Sequence, residues 1–193
     1  MTTKAAFNAD DWAVVTAAPA LTGMLVVSAS RGGTLRESVA LSRAYAEARA
    51  AGPSRLLADV LSSPPPVARV SERPRSPEEL ERHVLEQLQR AIAILTAIAS
   101  VEEVAEYKRF VYAVAEAVAN AHKEGGFLGV GGTHVSDAEQ AVLDKIVALF
   151  DATDPRPEES EGSAGEGADA PEQEEPRREQ APVGRWAPPT PGG

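Results

Sequence analysis

SPEELERHVLEQLQRAIAILTAIASVEEVAEYKRFVYAVAEAVANAHKEGG, residues 76 to 126, is the stretch whose reading decides the fold. It opens on Ser76-Pro77-Glu78-Glu79, the strongest helix start in the chain. Ser76 is a cap, Pro77 sits where a missing N–H does no harm, and two acids face the positive helix end. Leu80, Val84, Leu88, Ile92 and Leu95 then fall on one stripe, widened by Ala91 and Ile98. Val104, Tyr107, Val111, Val114 and Val118 repeat the pattern, with Val101, Phe110 and Ala121 alongside, until Gly125-Gly126.

No glycine or proline separates the two stripes. Ser100 and Glu103 nevertheless have the spacing of a capping box, in which each side chain serves the other's backbone N–H. Either one helix of nearly fifty residues runs through, or the chain turns at Ser100. A mean helix of ~12 residues favours the turn, because so long a soluble helix needs a partner along its length. The turn predicts two helices packed antiparallel, with Leu88 near Val111.

Outward from this core, the same grammar recurs. Asn8 and Asp11 form a start signal, with Phe7 and Trp12 spaced as a hydrophobic staple. The first helix is expected to run to about Ala17, and Pro19 to open a second that carries Leu21, Met24, Leu25, Val26 and Val27 to Gly32-Gly33. Thr34 with Glu37 starts a third, bearing Leu35, Val39, Leu41, Ala44, Tyr45 and Ala48, which Gly52-Pro53 stops. Ser54 caps a short fourth helix with Leu56, Leu57, Val60 and Leu61. Residues 62–76, with three consecutive prolines and several arginines, read as an extended linker. Ser136 and Glu139 open the last helix, with Val142, Leu143, Ile146, Leu149 and Phe150 on its apolar face. No stretch alternates with period two. The expected fold is an all-α bundle of about seven helices spanning residues 7–151.

From about Asp154 the composition changes. Ten acids face four arginines there, leaving that segment at −6 of the chain's −10, and eight of the fifteen prolines lie in it. Aliphatic residues nearly vanish, so residues 152–193 read as a disordered acidic tail unable to offset its ordering entropy. Trp186 is the one residue in it suited to anchoring on a partner.

Composition also bounds function. Hydrophobic residues make up 43% and charged residues 25%, ordinary for a soluble domain. The chain has no cysteine, which excludes disulfides and thiolate metal sites and fits a cytoplasmic setting. A net charge of −10 argues against nucleic-acid binding, which needs clustered Lys and Arg. Trp12 to Ser30 is uncharged for nineteen residues, but Pro19, Gly23 and several Thr and Ser make its apolarity modest for a membrane span.

The most individual loop, GGFLGVGG at 125–132, lacks both phosphate fingerprints: no G-x-G-x-x-G follows a strand, and no Gly-Lys-Ser/Thr closes it. Its glycines instead suit a compact turn, with Phe127, Leu128 and Val130 as candidate contact residues. His122, His134, Asp137 and Glu139 are the candidate metal ligands. Their spacing matches no H-E-x-x-H pattern, and Asp137 and Glu139 have a complete role as helix-start acids. No cysteine nucleophile, G-x-S-x-G elbow or kinase element is present, and no cofactor fingerprint appears, so no catalytic residue is named.

FNADDWAVVTAAPALTGMLVVSAS and AHKEGGFLGVGGTHVSDAEQAVLDKI are similar to segments of a group of uncharacterised helical bacterial proteins; the likeness covers most of residues 7 to 150 and implies no activity. The pattern of helix, glycine-bearing loop, V-S-x-x-E and amphipathic helix also resembles tellurite-resistance TerB-like proteins. That resemblance implies an all-α fold and a loop suspected of binding metal, although Gly131, Gly132 and Thr133 stand where an Asp-Gly pair is expected. The expected function is a non-enzymatic cytoplasmic adaptor with a protein partner, acting in a stress or envelope response. Two alternatives are a peripheral membrane protein, using a hairpin of the first two helices, and a metal- or ligand-binding enzyme using residues 122–139.

Overall fold

The computed structural model describes residues 1–29, 34–63, 76–121 and 135–154, the side chains of 34–37 excepted. After a short 3-10 turn, Lys4–Ala6, the described chain forms α1 (Ala9–Ala29), α2 (Thr34–Ala50), α3 (Arg55–Ser62), α4 (Pro77–Ile98), α5 (Val101–Asn120) and α6 (Asp137–Ala152). No strand occurs among the described residues, and the fold is all-α.

The start signals at Asn8, Ser54, Ser76 and Ser100 are realised, whereas the side chains of the predicted Thr34–Glu37 box lie outside the described residues. Asn8 Oδ1 accepts from Asp11 N–H at 2.8 Å, and the Asn8 amide donates to Asp11 Oδ2 at 2.7 Å. Phe7 and Trp12 rings lie 5.2 Å apart as the staple. Ser54 and Ser76 each accept from the N–H three residues on, at 3.3 and 3.2 Å. Ser100 and Glu103 form a full capping box, so the chain does turn there and α4 and α5 are separate helices. Gly52 ends α2 at φ +72, the left-handed region glycine enters cheaply.

One expected boundary is absent. Residues 9–29 are a single helix with Pro19 in its interior, so the first two predicted helices are one and six α-helices are described. An interior proline removes the N–H that should reach the carbonyl four residues back, here that of Val15. The hydroxyl of Tyr107, on α5, donates to that carbonyl at 2.7 Å, and Tyr107 is wholly buried. A side chain from another helix therefore supplies the hydrogen bond that Pro19 cannot, and the helix continues. No break forms at Pro19, so the predicted hairpin of two helices is absent.

α1 is apolar on nearly every side and is the hub of the bundle. It packs most extensively on α4 and then α5, and touches α2, α3 and α6 as well. A helix without a polar face suits a position with several helices packed around it. By length and composition α1 is apolar enough to cross a membrane, yet half of that window is buried inside the bundle. α4 and α5 also touch each other directly, though each packs more extensively on α1.

α6 runs to Ala152, Thr153 caps it, and Asp154 bonds to Lys108. At the predicted linker, Ser62 belongs to α3 and Ser63 caps it, with its N–H on the Asp59 and Val60 carbonyls. The remainder of the linker and of the acidic tail lies outside the described residues.

Candidate functional site

Most of the residues singled out in the sequence, His122, His134, Phe127, Leu128, Val130 and Trp186, lie outside the described residues. Asp137 and Glu139 are described, in the first turn of α6. Asp137 is exposed. Glu139 is 3% exposed, and its Oε2 accepts from the Ser136 N–H at 2.8 Å and the Ser136 hydroxyl at 2.9 Å. Ser136 Oγ in turn accepts from Glu139 N–H at 3.3 Å. The box thus occupies Oε2 with the helix end. Among the described residues no group of three His, Asp or Glu is placed to hold a metal ion. His83, the one described histidine, is exposed on α4.

The groups that sequence reasoning missed are the buried ones. Tyr107 looks like one more member of an apolar stripe, and only its partner 92 residues away reveals what its hydroxyl does. Burial, and secondarily the neighbouring Tyr45, push its phenol well above the usual tyrosine range, so it stays a donor at any ordinary pH. Tyr45 itself packs edge-on against Phe110 at 5.0 Å, and burial carries its pKa up to about 12 despite nearby Arg49. Lys108 is 2% exposed; its ammonium donates to the Phe150 carbonyl at 3.1 Å and pairs with Asp154 at 2.5 Å. A signal for it did exist, since Lys108 lies four residues after Val104 and three before Val111, on the buried stripe.

Glu103 does double duty. Besides capping α5, its carboxylate accepts from the Thr2 N–H and the Thr2 hydroxyl, each at 2.8 Å, pinning the N-terminal segment to the α4–α5 turn. Burial alone would raise its pKa. The hydrogen bonds from Thr2 and Ser100, with the N-terminal ammonium, outweigh that and hold it below the usual carboxylate value.

Open grooves mark the surface of the described residues. One, ≈ 700 Å³, lies between Lys4–Trp12 and α3; Phe7 and Trp12 line it with Lys4, Arg55 and Asp59. Asp59 is engaged there, accepting from the Lys4 N–H at 2.8 Å. A second, ≈ 480 Å³, runs between α4 and α6, where Lys145 pairs with Glu81. A third, ≈ 430 Å³, separates α2 from α5 along Ala44, Ala48, Ala113 and Ala117. Glu106 lines it and holds the start of α3 by accepting from the Ser54 N–H at 3.0 Å. Its Oε2 is buried with no hydrogen-bond partner among the described residues, and no nucleophile meets a base in the grooves described.

Comparison with known proteins adds no further constraint: no family model, no curated protein and no solved structure matches this chain.

Proposed function

We propose that the chain is a non-enzymatic helical interaction protein of the cytoplasm, a rigid bundle that displays the acidic segment beyond Asp154 to a partner protein. What supports this reading is the use to which the bundle puts its buried chemistry. Tyr107, Lys108, Glu103 and Glu139, the side chains that an enzyme would turn towards a substrate, are bonded to helix carbonyls, helix-start N–H groups and the N-terminal segment. Chemistry invested in holding helices together suits a scaffold. The segment beyond it, acidic, proline-rich and poor in aliphatic residues, has the composition of an arm that orders on binding.

The test is affinity purification from the source cells with the full chain and with a chain ending at Asp154. A protein recovered by the first and lost from the second supports the reading; identical recoveries overturn it. Thermal melts across a panel of divalent metals and nucleotides address the ligand-binding alternative. A saturating ligand at about 100 times its Kd adds about 2.7 kcal/mol, a shift of several degrees, so a flat panel favours the scaffold.

A further inference from the structure

Lys108 is the most deeply buried charged side chain among the described residues, at 2% exposure. A buried ammonium is strongly unfavourable unless it is both paired and hydrogen-bonded. Here it has one carboxylate partner among the described residues, Asp154, at 2.5 Å. Its other contacts are neutral: the Phe150 carbonyl at 3.1 Å and the Phe150 ring, whose centroid is 5.8 Å away. Both belong to the last turn of α6, so Lys108 reaches from α5 to finish the C-terminal end of its neighbour, where a cation is favoured.

The two halves of the ion pair differ sharply in exposure. The Lys108 side chain is 2% exposed and the Asp154 side chain 36%. The releasable member is therefore Asp154, and it stands where the bundle ends and the acidic segment begins. We infer that the Lys108–Asp154 pair is a latch: a partner that draws the segment after Asp154 away from the bundle leaves Lys108 buried without a counter-charge and loosens the α5–α6 seam. This rests on the acidic segment being the partner-binding arm. Occupancy of the arm would then be felt in the core, through one carboxylate.

The full chain alone tests the latch. In Asp154→Ala, hydrogen exchange in the last turns of α6 should rise by about tenfold or more while α4 stays protected. Lys108 should also gain reactivity towards an amine-acylating reagent read by mass spectrometry. Lys108→Met removes the buried charge with a side chain of similar length, so adding Asp154→Ala to it should leave α6 exchange unchanged. Wild-type exchange and wild-type Lys108 labelling in Asp154→Ala overturn the latch, as does an equal effect of Asp154→Ala with and without Lys108. The labelling arm stands even where Lys108→Met does not fold. None of these readings involves a partner, so the latch and the arm can fail separately.

Discussion

The helix at Pro19 and the turn at Ser100 handle the same problem in opposite ways. At Pro19 the backbone lacks a donor, and the fold provides one from Tyr107, so α1 continues. At Ser100 the backbone lacks nothing, and a helix would run on by propensity alone. There the Ser100–Glu103 box offers an alternative set of bonds, and Thr2 adds two more to the same carboxylate, so the chain turns. The difference teaches that a helix boundary depends on where the orphan N–H and C=O groups find partners. Proline creates an orphan; it does not by itself end a helix when a buried side chain answers it.

The largest effect should come from the packing that keeps α1 in place. Leu25, 2% exposed, faces the core of the hub helix. Leu25→Ala should cost about 2–5 kcal/mol in urea denaturation, with a single transition because α1 touches every other described α-helix. Independent melting of α1 would break the comparison, since it would mean that Tyr107 merely decorates a helix stable on its own.

Much of this was legible beforehand, and the exceptions are physically specific. Caps at Asn8, Ser54, Ser76, Ser100 and Ser136 could be read because a box is a local pattern of side chains three residues apart. The continuation through Pro19 could not, because the rescuing hydroxyl comes from 92 residues away. Separation along the chain likewise hid the partners of Glu103, 101 residues away, and of Lys108, 42 and 46 residues away. Their burial carried a weak trace, a charge on an apolar stripe, whereas Thr2 meeting Glu103 left none. Of the predicted site, only Asp137 and Glu139 are described, and the helix-start role read from their spacing is the one Glu139 fills.

A smaller effect is expected at the turn. Ser100→Ala should cost about 1 kcal/mol, the usual loss of an N-cap. Glu103 makes the turn pH-dependent. Its lowered pKa means that its stabilising share is complete above the ordinary carboxylate value of about 4.3 and is lost as the pH falls through the lowered one. Urea midpoints measured from neutral to acid pH should therefore decline less steeply in Glu103→Gln than in the wild type. Parallel profiles would place the acid sensitivity elsewhere.

The smallest effect has the opposite sign. A Cβ on Gly23, in the interior of α1, would lie 3.4 Å from Leu41 and Val114 carbons, ordinary contact distance. Gly23→Ala should then gain up to about 1 kcal/mol from helix propensity, seen as a raised Tm. A loss would show that the hub is too tightly packed to accept a methyl group.

The central claim is that Tyr107 answers the carbonyl orphaned by Pro19, and a double-mutant cycle tests it most directly. Tyr107→Phe removes only the hydroxyl and leaves the Val15 carbonyl buried without its donor, at a cost of about 1–3 kcal/mol. Pro19→Ala restores an N–H at position 19 that can reach the same carbonyl. Urea denaturation of the four proteins should give a Tyr107→Phe penalty that shrinks by about 1 kcal/mol or more in the Pro19→Ala background. An equal penalty in both backgrounds would contradict the account.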